Sequence, residues 1–152
     1  MRKALLLAAG IASLLAFVAA GCGGGGGGSA LTKDEWVSRV NEICDAFNQK
    51  QDEIGEPDSI EELSSKGQEI LDEFENAIDE VKGLTPPDEI ADQVDSFIEL
   101  AEQQTDLIQQ LIDAAEDNDT ERIQELGNEL EPLDTQSDEV ANELGVTTCA
   151  ED

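Results

Sequence analysis

Apolar residues recur at intervals of three and four along most of the chain beyond residue 31. This spacing gathers them on one face of an α-helix, whereas a β-strand would alternate apolar and polar residues. Four segments carry the helical pattern, and short stretches rich in Gly, Pro or acidic residues separate them. The pattern therefore predicts an all-α domain made of four amphipathic helices.

Capping residues predict where the first two helices begin. Thr32 and Ser59 each precede an apolar run, and each is followed three positions later by a glutamate, Glu35 or Glu62. In such a capping box, the hydroxyl accepts a hydrogen bond from the N–H of the glutamate, whose carboxylate accepts one from the N–H of the cap. Helices commonly end at glycine, and glycines follow the first, second and fourth apolar stripes, at positions 55, 83 and 145.

Prolines mark two further positions. Pro86 can occupy the first turn of a helix, where its missing N–H is not needed. The third helix is therefore predicted to start there, with Thr85 as its cap, and to run to about Asp117. Pro132 lies inside the fourth apolar stripe, where proline removes a backbone hydrogen bond and clashes with the preceding turn. We expect a kink or a break at this residue.

Four amphipathic helices with short connections pack most simply as an up-down-up-down four-helix bundle. In this arrangement the fourth helix lies antiparallel beside the first and ends near its start. An open pair of helical hairpins that completes its core with a partner would have the same sequence pattern.

The N-terminus has the organisation of a bacterial export signal. Two basic residues precede an apolar run over residues 4–18, and three small residues lead to Cys22. The run is shorter than the roughly 20 residues of a permanent transmembrane helix, so we assign residues 1–21 to a signal peptide. Small residues before a cysteine are similar to the lipobox of bacterial lipoproteins, which predicts that Cys22 is diacylated and becomes the new N-terminus. Cleavage by an ordinary signal peptidase at one of the two preceding residues is the alternative.

A tether follows the predicted anchor. Residues 23–28 are all glycine, and a Gly/Ser run is flexible with no structural preference of its own. We therefore divide the mature chain into a lipidated cysteine and tether, 22–30, and a helical domain, 31–152. This organisation predicts a protein on the extracytoplasmic face of the cell membrane, attached through the lipid on Cys22.

The two remaining cysteines are Cys44, on the inward stripe of the first helix, and Cys149, near the C-terminus. An exported chain with two such cysteines favours a disulfide. The predicted bundle brings the end of the fourth helix near the first, and the residues after Gly145, at about 3.3 Å each, can reach back to Cys44. We predict a Cys44–Cys149 disulfide. A redox pair, a metal-binding pair and unpaired thiols are the alternatives, although redox thiols are usually close in sequence or in an electropositive site.

These features together resemble the small helical lipoproteins of actinobacteria. The likeness spans nearly the whole mature chain and depends on the order and spacing of short elements. Those elements are the lipobox cysteine with its glycine tether, a Trp-containing first helix leading to Ile43-Cys44, the turn Leu84-x-Pro86-Pro87, and a closing Leu144-Gly145 followed by Cys149-Ala150. The resemblance implies the same location and helical fold, and it implies no catalytic or binding residues, because members of this group mostly have no assigned function.

Composition excludes several classes of function. The chain of 152 residues has 37 acidic and 8 basic residues, a formal net charge of -29, no His and no Tyr. An imidazole base, a His-ligated zinc and a His-ligated haem are therefore excluded. A chain with this much negative charge repels the phosphates of nucleic acids, so we expect no nucleic-acid binding. Basic envelope proteins and weakly bound divalent cations are the partners that its charge favours.

Acidic motifs are frequent enough in this chain to arise by chance. Asp117-x-Asp119-x-Glu121 is similar to the opening of a calcium loop. An EF-hand, however, has Gly at the sixth position and Glu at the twelfth, where this chain has Arg122 and Asn128. We interpret the motif as a polar turn with a helix-capping acid, and we predict no metal site and no cofactor.

Aromatic and amide side chains are interpreted structurally. Trp36 is predicted to close the lower end of the core, and an exposed contact for a partner is the alternative. Core positions are predicted for Phe47, Phe74 and Phe97, and a solvated face of the third helix for Gln103, Gln104, Gln109 and Gln110. Because no set of catalytic residues emerges, we predict that the protein is not an enzyme.

Two functional hypotheses follow. The first is a non-enzymatic, lipid-anchored interaction or structural module of the bacterial cell envelope, whose acidic face meets basic partners. The second is an extracytoplasmic carrier that binds a small apolar ligand or lipid between its helices. Small alanines on the third helix and an opening at Pro132 favour the carrier. Neither hypothesis fixes the oligomeric state.

Overall fold

The structure is a computed structural model that describes residues 30–150. In this part of the chain there are four α-helices, α1 (Lys33–Ile54), α2 (Ile60–Lys82), α3 (Ala91–Glu116) and α4 (Thr120–Leu144). A short 3₁₀ helix, η1 (Thr147–Ala150), follows α4. The predicted signal peptide, Cys22 and nearly all of the tether lie outside the described residues. None of the helices in residues 30–150 is long and apolar enough to cross a membrane.

One buried cluster shows that the helices run alternately up and down. Trp36 at the start of α1 belongs to the same cluster as Val81 at the end of α2, Val94 near the start of α3 and Leu144 at the end of α4. Consecutive helices also pack on each other in turn. The predicted all-α, up-down-up-down four-helix bundle is therefore confirmed. We call the end that contains these four residues the lower end of the bundle.

The caps of α1 and α2 follow the sequence prediction with one difference. Thr32 Oγ1 accepts a hydrogen bond from Glu35 N at 3.3 Å, and the Glu35 carboxylate accepts one from Thr32 N at 3.0 Å. Ser59 Oγ likewise accepts from Glu62 N at 3.2 Å, but the Glu62 carboxylate accepts from Asp58 N, at 3.0 Å. These backbone hydrogen bonds lower the pKa of both glutamates. Their stabilisation is therefore present above the ordinary glutamate pKa and is lost as the pH falls through the lowered one.

The predicted start of α3 at Pro86 is wrong, because the helix begins at Ala91. A residue that precedes a proline is forced away from the helical conformation, and Pro86 precedes Pro87. The chain instead makes a turn after the two prolines, in which Ile90 N donates to Pro87 O at 3.1 Å, and the helix begins beyond it. Thr85 is not a cap, and its carbonyl accepts a hydrogen bond from Leu31 N at 3.0 Å.

The fourth helix continues through Pro132, so the predicted break is absent. Proline deprives the carbonyl four residues earlier, that of Asn128, of its usual donor. Both residues are exposed, so water can hydrogen-bond to this carbonyl. At the start of α4, the Asp119 carboxylate accepts a hydrogen bond from Arg122 N at 3.1 Å, which confirms a capping acid in the polar turn.

The α2–α3 pair approaches closely at a glycine. Gly67 is buried in α2, and a Cβ atom at this position would lie 3.0 Å from Ile112 Cγ1 of α3. A larger residue would therefore require the Ile112 side chain to move by a few tenths of an ångström. This close contact lies away from the lower end of the bundle, in the half where α1 has no fully buried residue.

Trp36 is fully buried at the lower end, which confirms its predicted core position. Its indole N–H has no hydrogen-bond partner among the described residues. An unpaired buried donor costs about 1–3 kcal/mol, so the ring stabilises the core through its apolar surface and in spite of its polar atom.

We expect Trp36→Ala to lower the free energy of unfolding by about 3–5 kcal/mol, because it leaves a large cavity in the core. Trp36→Phe keeps most of the ring and removes the unpaired N–H, so it should cost less than about 2 kcal/mol. Urea unfolding followed by circular dichroism measures both. Equal losses for the two variants would contradict the account.

Candidate functional site

The 3₁₀ helix η1 lies between α1 and α4. Both helices pack on η1 and make little direct backbone contact with each other, while α1 packs mainly on α2 and α4 mainly on α3. Two asparagines of α1 hold the η1 backbone. Asn41 Oδ1 accepts a hydrogen bond from Thr148 N at 3.1 Å, and Asn48 Nδ2 donates one to Thr148 O at 3.3 Å.

A disulfide joins η1 to α1. Cys44 and Cys149 are bonded, with their Cα atoms 5.2 Å apart, so the predicted pairing is present in the structure. Cys44 lies between the two asparagines, three residues after Asn41 and four before Asn48. These intervals place the three side chains on one stripe of the helix. The stripe of α1 that would face α4 in a closed bundle is thus occupied by η1.

Beside the disulfide, the separation of α1 and α4 leaves a cavity of about 370 Å³. Residues of all four helices and of η1 line it, and it is open to solvent on one side. Pockets that bind small molecules have volumes of about 300–1,000 Å³, so this cavity is large enough for a small ligand. We refer to it as the central cavity.

The inner wall of the central cavity is apolar. It is formed by the disulfide and by aliphatic and aromatic residues of α1, α2 and α3. Those residues are Phe47, Ile70, Leu71, Phe74, Ala77, Phe97, Ala101 and Ile108. Several of them, such as Phe47, Ile70 and Ile108, are only half-buried, which leaves apolar surface that a ligand could cover.

The predicted core position of the phenylalanines is confirmed only for Phe97, which is buried. Phe47 and Phe74 are half-buried and pack against each other, with ring centroids 5.5 Å apart and an angle of 49° between the planes. Both rings belong to the lining of the central cavity. The cavity takes the space that further core residues would otherwise fill.

Polar side chains line the rest of the cavity. They come from α1, α3 and α4 and are Asn48, Gln51, Gln104, Asp134, Ser137 and Asp138. Gln104 Nε2 donates to Asp134 Oδ1 at 2.6 Å and so joins α3 to α4. The interpretation of Gln104 as part of a solvated face is therefore incomplete, because this glutamine is half-buried and faces the cavity. Its position beside Ala101 on α3 was the signal that could have identified it.

No basic side chain is present among the described residues that line the cavity. Elsewhere in the described chain, four of the basic residues form ion pairs with carboxylates. These pairs are Lys50–Glu53, Lys66–Glu62, Lys82–Glu102 and Arg122–Glu125. Ion pairing with Glu53 and with Glu102 raises the pKa of Lys50 and of Lys82. The positive charge of the domain is thus largely committed to partners outside the cavity.

Within residues 30–150, no group of three or more cysteine or acidic side chains is arranged to hold a metal ion. The chain matches no known protein family, and no curated protein or solved structure shows significant similarity to it. The resemblance to actinobacterial lipoproteins stays a prediction.

The disulfide should contribute a large part of the stability. It closes a loop with a sequence separation of 105 residues, for which the chain-entropy relation gives about 4–5 kcal/mol. We expect the double variant Cys44→Ser/Cys149→Ser to lose roughly this amount in urea unfolding.

Reductant provides the matched control. It should destabilise the wild-type domain by a similar amount and leave the double variant unchanged. A loss below about 1 kcal/mol in the double variant would contradict this role of the disulfide.

Proposed function

We propose that this protein is a lipid-anchored, non-enzymatic binding module of the bacterial cell envelope that holds a small, largely apolar ligand between its helices. The observation that carries this proposal is the central cavity, which all four helices and η1 surround. Of the two hypotheses drawn from the sequence, the carrier is the one that the geometry favours.

The lining has an apolar part and a polar part, and this division supports ligand binding. Ligand sites are mostly apolar, with a small number of polar groups that orient the bound molecule. Here Phe47, Phe74 and Ile108 offer apolar contacts, while Gln104 and Asp134 supply hydrogen-bonding groups. A ligand that covers the half-buried apolar side chains gains about 25 cal/mol for each Å² removed from water.

The same lining supports binding rather than catalysis. Ser137 is the hydroxyl residue of the cavity, and activation of a serine as a nucleophile needs a base such as an imidazole or an amine. The chain has no histidine, and the described residues around this cavity include no lysine. Ser137 therefore has no activating imidazole or amine among the described residues of the lining.

The proposed location depends on residues outside the described part of the chain. Residues 1–21 have the pattern of a signal peptide, and Cys22 with the glycine run would form the anchor and tether. The hydrogen bond from Leu31 N to Thr85 O fixes the first described residues at the lower end of the bundle. A tether leaving from one end supports a cavity that stays accessible from the side. Binding of basic envelope proteins or divalent cations stays a prediction from the charge.

Filling the central cavity should abolish ligand binding without unfolding the bundle. Ser137 is half-buried in the lining on α4, and Ser137→Phe places a ring in the cavity. A bound ligand raises the melting temperature by mass action. We expect lipids extracted from the cell envelope to raise it in the wild type and not in Ser137→Phe.

Thr135→Phe is the matched control, because Thr135 is exposed on the same helix and does not line the cavity. This variant should keep the shift of the wild type. If the extract leaves the wild-type melting temperature unchanged, the carrier proposal fails.

The anchor is tested by the mass of the protein isolated from its native membrane. We expect the mature chain to begin at Cys22 and to carry a diacylglyceryl group, and we expect Cys22→Ser to leave the membrane fraction. An unmodified chain cut before Cys22 would refute the anchor and leave the binding proposal intact.

A further inference from the structure

The two charged side chains that the structure describes in the lining of the central cavity are both carboxylates. Asp134 and Asp138 lie four residues apart on α4, so both project from the same face of the helix. Among the described residues of this lining there is no lysine or arginine. A molecule in the cavity therefore meets the carboxylates of Asp134 and Asp138.

Asp134 can accept further hydrogen bonds in its present position. It accepts one, from Gln104 Nε2, whereas an ionised carboxylate has about four acceptor sites. The bond to Gln104 also fixes the carboxylate between α3 and α4. A cationic head group would find an oriented acceptor there.

Two aromatic rings of the lining favour the same charge. Phe47 and Phe74 pack against each other at a tilted angle on the apolar side of the cavity. The face of an aromatic ring carries partial negative charge and attracts a cation within about 6 Å. The rings thus offer an apolar surface that also favours a positive charge over a negative one.

We propose that the ligand of the central cavity is a cationic amphiphile, a molecule with a positively charged amine head on an apolar body. This inference rests on the proposed binding function and specifies its ligand. The apolar body packs on Phe47, Phe74 and Ile108, and the amine donates to Asp134 and Asp138. A fatty acid or other anionic lipid would bring a third negative charge to the same wall, at a cost in binding free energy.

Three probes with the same chain separate the head group from the chain. They are octylamine, 1-octanol and octanoate, titrated below their aggregation concentrations at neutral pH by isothermal calorimetry. Hydrogen bonds to a charged group contribute about 1.5–3 kcal/mol, which corresponds to a tenfold or greater change in affinity. We expect octylamine to bind at least about tenfold more tightly than octanol, and octanoate to bind most weakly.

Two double variants test where the preference originates. Asp134→Asn/Asp138→Asn should reduce the affinity for octylamine to that for octanol and leave octanol binding unchanged. Glu139→Gln/Glu143→Gln removes the same charge at the same spacing from exposed positions of α4 outside the cavity, and it should keep the preference. Circular dichroism of both variants verifies that they fold.

The remaining outcomes distinguish an error in the ligand class from a failure of the binding function. If octylamine and octanol bind equally and Ser137→Phe abolishes both, the ligand class is wrong and the binding function stands. If the exposed double variant loses the preference as fully as the cavity variant, the preference comes from the overall charge and the inference is overturned. If none of the probes binds the wild type, the inference and the proposed function fail together.

Discussion

The arrangement of this bundle depends on one insertion, that of η1 between α1 and α4. In a closed four-helix bundle, apolar side chains of the first and fourth helices would meet along their length. Here α1 presents Asn41, Cys44 and Asn48 along that stripe, and each of them engages the chain segment that follows α4. The backbone of η1 therefore provides hydrogen-bond partners for Asn41 and Asn48, on the face of α1 where α4 would otherwise pack. The space left beside it is the central cavity.

The disulfide connects the stability of the domain with the structure of the central cavity. The disulfide is at the same time the covalent link that holds η1 and a part of the cavity lining. The lower end of the bundle, where Trp36 and Leu144 are fully buried, is closed by apolar packing, and the two cysteines pack against the same cluster. A bundle with a tightly packed end can keep an open region nearby, because the packed end supplies the core that a small domain requires. The open region is then available for a ligand.

Much of the fold was accessible from the sequence, because it depends on local rules. Helix periodicity, and the helix ends marked by Thr32 and Gly145, depend on residues only a few positions apart. The disulfide was predictable because Cys44 and Cys149 were the two cysteines left to pair. The start of α3 was missed because the second proline of the pair constrains the first. The cavity was not predictable in detail, since it depends on the distance between two helices that are far apart in sequence. The role of Asn41 follows from that distance, so the local sequence gave no sign of it. Gln104 instead joins α3 to α4, and its position beside Ala101 was the sign that the polar pattern of α3 concealed.

Native mass spectrometry of the full-length protein, extracted in mild detergent from the membrane that contains it, shows whether the central cavity holds a ligand. We expect one small molecule bound non-covalently per chain, lost on denaturation and absent from the Ser137→Phe variant. A wild-type protein that has the same mass under native and denaturing conditions would contradict the claim that this cavity is a ligand site. A bound molecule retained by Ser137→Phe would contradict it equally, because the ligand would then occupy another part of the protein.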